Sequence, residues 1–244
     1  MRISRLYVDQ PLTGAQTIEL GVDAANYLGR ALRARRGDAL ILFDGSGSEF
    51  HAVVTALERR RVTLDVGEAT GASRESTLRI SLLQGLARGE RMDYVVQKAT
   101  ELGVTSILPV QTEFAQVSLS DERSTRRRDH WRGVAIAAAQ QSGRTRVPSI
   151  HDVQTLASAL AVSSTEDEGL RLVADTQSHG AWPVCDASRV TIAIGPEGGF
   201  SDTERAALDA HGFAAIGLGP RVLRTETAAI TALTLIQCRY GDLP

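Results

Sequence analysis

The sequence contains few cysteines and no long hydrophobic run. Two cysteines in 244 residues, Cys185 and Cys238, cannot form a disulfide framework or a four-cysteine zinc site, so we expect a reducing, cytoplasmic setting. The hydrophobic residues, 43% of the chain, nowhere form an uninterrupted run near the roughly 20 residues that cross a bilayer. Residues 1–8 lack the apolar core of a signal peptide. We therefore expect neither secretion nor membrane insertion.

Several enzyme motifs are also missing. The nucleotide-binding patterns GxGxxG and GxxxxGK(S/T) do not occur, which weighs against a nicotinamide-dependent oxidoreductase. None of the five histidines has metal-ligand spacing, so we expect no metal. No GxSxG motif accompanies Ser201, which is therefore predicted to cap a helix and not to act as a nucleophile.

Lysine is nearly absent, because Lys98 is the one lysine among 27 basic residues. Arginine offers a planar fork that suits phosphate groups and base edges, although biased codon usage explains the same composition equally well. The net charge of -2 conceals a balance of +4 over residues 71–150 and -6 over residues 151–244. An anionic partner would therefore be attracted to the middle third. Its densest basic stretch, residues 123–132, is either a phosphate-contacting surface or the solvated face of a long helix.

Residues 1–70 are predicted to form a small β-barrel. Short segments alternate apolar and polar residues, as half-buried strands do, and turn residues separate them. These predicted strands cover residues 2–8, 16–20, 39–43, 49–56 and 61–66, with one predicted helix over residues 23–35. The polar stretch 67–76 follows, and we place the domain boundary there, so that the second domain covers residues 77–244.

From residue 77 onward, predicted strands and helices alternate, which favours a mostly parallel α/β sheet. The strands are predicted at residues 78–83, 106–110, 170–174, 190–194 and 214–218. The helices are predicted at residues 92–102, 121–141, 153–161, 202–211 and 225–239. Ser201 and Glu204 fit a capping box at the start of the fourth of these helices.

Two loops at predicted strand ends stand out. Residues 194–200 read Ile-Gly-Pro-Glu-Gly-Gly-Phe, and three glycines within five residues allow positive φ angles and close approach of a ligand. Residues 218–228 read Leu-Gly-Pro-Arg-Val-Leu-Arg-Thr-Glu-Thr-Ala, with two arginines and a carboxylate before a helix. The carboxyl ends of strands are where α/β sheets bind ligands, so the two loops together predict a binding site. For either loop alone, the alternative to ligand binding is that its glycines serve only to form a tight turn.

These loops closely resemble those of the RsmE family, the ribosomal RNA small subunit methyltransferases of the SPOUT superfamily. The similarity continues upstream in Gln-Lys-Ala-Thr-Glu-Leu-Gly-Val at residues 97–104 and Ala-Ala-Gln-Gln-Ser-Gly-Arg at residues 138–144, and it covers nearly the whole chain. The resemblance implies a PUA-like RNA-binding β-barrel followed by a SPOUT α/β domain with a deep trefoil knot. It also implies a homodimer that uses S-adenosyl-L-methionine to methylate uridine N3 in 16S ribosomal RNA, free or in the small subunit.

Carried onto this chain, the resemblance implies cofactor contacts from both loops and from a third segment, residues 172–176. The cofactor-binding residues so implied are Leu172, Thr176, Gly195, Pro196, Glu197, Gly198, Gly199, Leu218, Gly219, Leu223, Arg224 and Thr225. Arg221 and Arg224 are candidate catalytic residues that could hold the imide oxygens of uracil or the target phosphate. Glu226 could orient an arginine or accept a proton. A pair of Arg224 and Glu226 that only shapes the loop is the alternative.

RNA contacts are predicted for two groups of arginines, because clustered arginines neutralise the phosphates of nucleic acids. They are Arg33, Arg35 and Arg36 in the first domain and Arg123, Arg126, Arg127, Arg128 and Arg132 in the second. Similar proteins often read Thr-Glu-Arg-Ser after the second strand of the α/β domain, whereas residues 112–115 here read Thr-Glu-Phe-Ala. A non-catalytic RNA-binding or ribosome-assembly module with the same fold is the alternative function, and the intact glycine loops argue against it.

Overall fold

The chain divides into two units, seen here in a computed structural model. It describes residues 3–115, 121–166, 169–178 and 182–244, without the side chains of residues 121–122 and 162–166. The first unit comprises Met1–Glu75 and Ala139–Arg146, and the second comprises Ser76–Ala138 and Val147–Pro244. The sequence predicts the boundary near the observed division after Glu75, but it assigns residues 139–146 to the second domain, whereas their contacts place them in the first unit.

The first unit contains a five-stranded sheet in the order β1-β3-β4-β5-β2. Its strands are β1 (Ser4–Tyr7), β2 (Gln16–Leu20), β3 (Ala39–Phe43), β4 (Glu49–Leu57) and β5 (Val62–Ala69). β1 runs parallel to β3, and the other neighbouring pairs are antiparallel. Alternation along the strands sends Leu40, Val54 and Leu64 into the core of this unit. All five predicted strands are present.

The helix predicted over residues 23–35 is shorter in the structure. Helix α1 covers Val22–Asn26, and a π-helical turn continues over Tyr27–Ala31. Gly29 is a poor helix former, and Arg33 has a left-handed φ of 54°, so the helical run ends before it. Leu28 is fully buried and anchors the turn in the core of the first unit.

The segment of residues 139–146 joins the first unit through hydrogen bonds and one ion pair. The carbonyl oxygen of Arg144 accepts a hydrogen bond from the Arg5 guanidinium at 2.8 Å. The Arg144 side chain pairs with Glu75, whose carboxylate also accepts from the backbone N–H of Thr145 at 2.8 Å. Burial opposes ionisation of Glu75, but the hydrogen bonds and charge of Arg144 hold the pKa of this carboxyl below its ordinary value.

The second unit is built on a parallel sheet in the order β12-β10-β11-β6-β7-β8, with β9 also paired to β7. Its strands are β6 (Arg79–Gly85), β7 (Ser106–Gln111), β8 (Ser149–Ile150), β9 (Gln154–Thr155), β10 (Leu170–Ala174), β11 (Arg189–Ile194) and β12 (Ala214–Ile216). Its helices are α2 (Glu90–Glu101), most of α3 (Asp121–Ser142), α4 (Leu156–Glu166), α5 (Asp202–Ala210) and α6 (Thr225–Tyr240). The predicted alternation of strands and helices is confirmed. The trefoil knot that the resemblance implies stays a prediction.

Helices cover both faces of this sheet because its strands are apolar on both faces. Leu82 packs in the same cluster as residues of α2 and α6, whereas the next residue, Leu83, packs with residues of α4 and α5. The indole N–H of Trp131, on α3, donates to Asp93 of α2 at 3.1 Å and fixes the two helices together. Among the described residues, no helix combines the length and the apolar character that crossing a membrane requires.

Candidate active site

The second unit contains a cavity of about 640 Å³ at the carboxyl ends of β10, β11 and β12. Its walls come from the loops that follow these three strands and from the side of α5. Parallel strands end at the same edge of a sheet, so loops that are far apart in sequence converge there. Both glycine-containing loops that the sequence predicts as a binding site line this cavity.

The loop after β11 is held in a tight turn against the end of β6. The backbone N–H of Gly199 donates to the Pro196 carbonyl at 2.9 Å, and Gly199 has a φ of +70° that glycine adopts without strain. Gly85, the last residue of β6, lies so near the loop that an added Cβ would be 2.5 Å from the Pro196 nitrogen. Glycine at this position therefore allows the loop to lie directly on the strand end.

A chain of hydrogen bonds connects β6, the β11 loop and α6. The buried Gln84 side-chain amide donates to Thr225 Oγ1 at 2.9 Å, and Thr225 Oγ1 donates to the Gly195 carbonyl at 2.6 Å. Gln84 is fully buried and Thr225 is 4% exposed. Buried polar groups contribute most to order when each has a partner, so this chain fixes where α6 begins relative to the glycine loop.

The predicted capping box at α5 is confirmed. Ser201 Oγ accepts from the Glu204 backbone N–H at 3.3 Å, and Glu204 Oε2 accepts from the Ser201 backbone N–H at 2.9 Å. Glu204 Oε1 also accepts from the backbone N–H of Glu113 at 2.9 Å, which ties the turn after β7 to this helix start. Side chains of the helix itself therefore occupy N–H groups that could otherwise bind a phosphate.

Arg205 of α5 braces the opposite wall of the cavity. Its guanidinium donates to Asp175 Oδ2 at 2.6 Å and to the Phe200 carbonyl at 3.3 Å. The backbone N–H of Asp175 donates to the Ile216 carbonyl at 3.0 Å, so the ends of β10 and β12 are also joined. Three loops of the cavity are thus fixed before any ligand binds, as expected of a preorganised site.

Glu197 of the glycine loop is paired with the start of α2. Its carboxylate lies 2.5 Å from the Arg91 guanidinium and accepts a long hydrogen bond, 3.4 Å, from the backbone N–H of Arg88. Burial would raise the pKa of Glu197, but backbone N–H donors and Arg91 hold it below the ordinary value. The glycine loop therefore carries an ionised carboxylate whose charge is balanced locally.

The predicted cofactor residues line the cavity, with one exception. Leu172 does not line it, because its side chain is fully buried in the core of the second unit, whereas Val173 and Ala174, nearer the end of β10, reach the cavity wall. Sequence reasoning missed several lining residues, although two signals were available: the helical spacing of α5 after the glycine loop, and the aromatic residue that precedes β12. These missed residues are Arg205, Leu208, Asp209, Phe213, Ala214 and Ala215.

The predicted catalytic residues divide into two groups. Arg221 and Arg224 are exposed and line the cavity. Glu226 does not line it, and its Oε2 atom is buried without a hydrogen-bond partner among the described residues. Helix α6 begins without a side-chain cap, so the N–H groups of its first turn are not occupied by its own N-terminal side chain.

The predicted RNA-binding arginines are mostly exposed. In the first unit these are Arg33, Arg35 and Arg36, and on α3 of the second unit Arg123, Arg126 and Arg132 are exposed while Arg127 is half-buried. Arg128 differs, because its guanidinium is shared between Asp129 at 2.9 Å and Asp152 at 3.1 Å. Both carboxylates, Asp129 foremost, raise the pKa of Arg128.

A cavity at the ends of parallel strands, walled by glycine loops and exposed arginines, is typical of enzymes that bind a nucleoside-containing cofactor. Comparison with known proteins identifies the class of enzyme more narrowly. Residues 74–237 match the family described as RNA methyltransferase domain, and residues 20–67 match the family described as RNA methyltransferase PUA domain. The fold and site are therefore those of an RNA methyltransferase with a PUA domain.

Relatives extend this similarity over the full length. The ribosomal RNA small subunit methyltransferase E of Buchnera aphidicola subsp. Schizaphis graminum is 30% identical over 99% of this chain and 98% of its own. The enzyme of that name from Neisseria gonorrhoeae, solved bound to S-adenosyl methionine, is 32% identical with a TM-score of 0.89 and full coverage of both chains. A Legionella pneumophila structure described as a methyltransferase with bound cofactor SAM is 37% identical, with a TM-score of 0.92 and full coverage of both chains. The chain belongs to the ribosomal RNA small subunit methyltransferase E family.

Proposed function

We propose that this protein transfers a methyl group from S-adenosylmethionine to N3 of one uridine in 16S ribosomal RNA. The observation that carries the proposal is the cavity at the ends of β10, β11 and β12, lined by both glycine-containing loops and by two exposed arginines. Two relatives of full-length similarity have been solved with S-adenosylmethionine, which supports the same ligand here.

The cavity fits this cofactor in size and in chemistry. A volume of about 640 Å³ lies in the usual range for sites of drug-sized ligands. Apolar side chains such as Val173, Phe213 and Leu218 would contact the adenine ring of S-adenosylmethionine. The backbone of residues 194–200 would approach the rest of the cofactor. The capping box of α5 occupies the N–H groups of Ser201 and Glu204, which makes this helix start a poorer phosphate site and agrees with a cofactor that has no phosphate.

The residues around the cavity supply what methylation of an imide nitrogen requires. When bound, S-adenosylmethionine provides an already activated methyl group, so positioning accounts for much of the rate. The N3 proton has to leave, and negative charge then develops on uracil O2 and O4. Arg221 and Arg224 would stabilise that charge, aided by the uncapped N–H groups of the first turn of α6. We assign Glu226 no contact with the cofactor or the uracil, because its side chain does not line the cavity and, among the described residues, forms no ion pair with Arg221 or Arg224.

RNA binding is proposed for the exposed arginines of both units. Arg33, Arg35 and Arg36 would contact phosphates from the first unit, and the exposed face of α3 would do so from the second. Contacts of this kind release counterions, so we expect the affinity for RNA to fall steeply with salt.

We also propose that the enzyme is a homodimer formed through the second unit. Val222, in the loop after β12, is 85% exposed, and Ile230 and Leu235 of α6 are only half-buried. Exposed apolar side chains next to a functional loop are typical of a protein interface. Sedimentation equilibrium at micromolar concentration should give twice the 26.2 kDa chain mass, and a monomer would exclude this part of the proposal.

The activity is tested with purified protein, isotope-labelled S-adenosylmethionine and small ribosomal subunits from cells that lack the enzyme. Nucleoside mass spectrometry of the extracted 16S RNA should find the label in 3-methyluridine. Label in a different nucleoside would exclude N3 as the acceptor. RNA binding without transfer of label would favour the non-catalytic assembly module. Parallel reactions with naked 16S RNA would identify which form of the RNA is the substrate.

A further inference from the structure

Phe114 is a half-exposed aromatic side chain that lies directly against the glycine loop. Its exposed fraction is 47%, whereas the other four phenylalanines of the chain are buried. A Cβ added to Gly198 would lie 2.8 Å from the Cβ of Phe114, so the two residues are in close contact. Gly198 lines the cavity and Phe114 does not. The aromatic residue therefore stands outside the cavity, beside its rim.

The turn that carries Phe114 is anchored on both sides. Thr112, at the end of β7, is 5% exposed, and its carbonyl accepts from the backbone N–H of Ala115 at 3.1 Å. The backbone N–H of Glu113 donates to Glu204, which caps the helix after the glycine loop. The backbone on either side of Phe114 is thus tied to the end of β7 and to the start of α5.

Nothing among the described residues accounts for an exposed phenylalanine at this position as a packing residue. A large apolar ring is usually buried, because contact with water forgoes part of the free energy gained by burial. An aromatic face in water next to a ligand site is, however, what proteins use to stack an unpaired base. The carboxylate of Glu197 in the adjacent glycine loop is already paired with Arg91, so its charge is balanced locally.

We propose that Phe114 is the stacking platform for the target uracil, a role that rests on the proposed methyltransferase function. The ring holds the base at the cavity rim, where N3 can be directed toward the site, and it acts through its π-face and not through its hydrophobicity alone. Phenylalanine carries no charge, so its contribution to RNA binding releases no counterions. Substitutions at this position should therefore leave the salt dependence of RNA affinity unchanged, unlike substitutions of the arginines on α3.

The test compares four variants: Phe114→Tyr, Phe114→Leu, Phe114→Ala and Phe114→Trp. Leucine keeps an apolar side chain of similar bulk without a π-face, so it is the matched control for tyrosine. We expect Phe114→Leu and Phe114→Ala to lower kcat/KM for RNA by about 5- to 140-fold, equivalent to roughly 1–3 kcal/mol per stacked base. Phe114→Tyr should retain most of the activity, and all four variants should bind S-adenosylmethionine like the wild-type protein in calorimetry.

A spectroscopic measurement keeps the proposal independent of turnover. Phe114→Trp should show extra fluorescence quenching by a short uridine-containing RNA, after subtraction of the wild-type signal from Trp131 and Trp182. A Phe114→Leu protein as active as wild type, or no extra quenching, would overturn the stacking role. A loss of the dimer in Phe114→Ala would show that a second copy of the chain covers the ring, and would overturn it too. Absence of methyl transfer by the wild-type protein would instead reject the proposed function, and the quenching would still test the role of Phe114.

Discussion

Arg144 Nη2 lies 2.7 Å from Glu75 Oε2, and both side chains are almost withdrawn from solvent, with exposed fractions of 4% and 13%. The two residues are 69 positions apart in the chain. Their pairing attaches the segment of residues 139–146 to the rest of the first unit. The stability of that unit therefore depends on a charge contributed from a distant part of the sequence.

Replacing Glu75 with glutamine should destabilise the protein by about 3–5 kcal/mol at pH 7, because Arg144 would keep a buried charge without its partner. Urea unfolding measures this difference. Glu58→Gln is the matched control, since Glu58 forms an exposed pair with Arg61 at 3.5 Å and its loss should change stability by about 1 kcal/mol or less. Equal effects of the two substitutions would contradict the importance of the buried pair.

The contribution of Glu75 should also depend on pH in a defined direction. Its folded-state pKa lies below the ordinary value of 4.5, so the folded protein binds this proton less readily than the unfolded chain does. The stabilisation that Glu75 contributes is therefore fully present above pH 4.5, and it is lost as the pH falls through the lower pKa that Glu75 has in the folded protein. The stability difference between wild type and Glu75→Gln should shrink on acidification from pH 5 to lower values, and a constant difference would be inconsistent with this linkage.

Replacing Thr225 with valine should weaken cofactor binding. The change keeps the shape of the side chain but removes the donor to Gly195 and the acceptor for Gln84, and each buried group left unpaired costs about 1–3 kcal/mol. Calorimetry with S-adenosylmethionine gives the affinity, and urea unfolding gives the stability. Thr234→Val, in the same helix, is the control, because in the described part of the chain the Thr234 hydroxyl donates only to the Ile230 carbonyl one turn before it. The idea fails if both variants bind the cofactor with wild-type affinity.

Arg224→Ala should reduce turnover at saturating RNA by about 10²–10³-fold while changing RNA affinity little, if its charge stabilises the reacting uracil. Helix α6 should remain intact, because the Arg224 side chain makes no capping hydrogen bond. Arg239→Ala, which removes an exposed arginine at the other end of this helix, should leave turnover unchanged. A variant that binds RNA poorly but turns over normally at saturation would make Arg224 a binding residue.

Neutralising Arg123, Arg126 and Arg127 together to glutamine should weaken RNA binding and flatten its dependence on salt. Removal of one arginine–phosphate pair should lower the slope of log affinity against log salt by about 0.7–0.9. Arg128→Gln should change the slope less, because Asp129 and Asp152 already balance that charge. Titrations at several salt concentrations decide this, and an unchanged slope in the triple variant would mean that the basic run is only a solvated face.

Much of the fold could be predicted from local patterns. Alternating residues identified the strands of both units, and the spacing of Ser201 and Glu204 identified the start of α5, because these signals depend only on neighbouring residues. The two glycine-containing loops were predicted to form a site because strand ends converge in α/β sheets, and both line the cavity. The resemblance to a known family supplied the cofactor and the reaction, which no periodicity contains.

The remaining features depend on contacts between distant residues. The sequence did not indicate that Leu172 is buried in the core while Val173 and Ala174 reach the cavity wall, since all three residues are apolar. Nor did it indicate that Gly85 makes room for Pro196, or that Phe114 lies on Gly198. The partner of Arg144 was equally hidden, because an ion pair across 69 positions has no local signature.

Because the first unit is built from two separate segments of the chain, it cannot complete its folding until the second segment has been synthesised. The ribosome completes Glu75 long before it has made Arg146, which lies 71 residues further along the chain. At about 5–20 residues per second, that interval lasts roughly 4–14 s. Throughout it, Glu75 has no Arg144 and the backbone N–H of Tyr7 has no Gln140 to pair with. The nascent sheet of the first unit therefore remains incompletely stabilised during this interval. It gains its last contacts only when residues 139–146, which lie within the sequence of the second unit, have been translated.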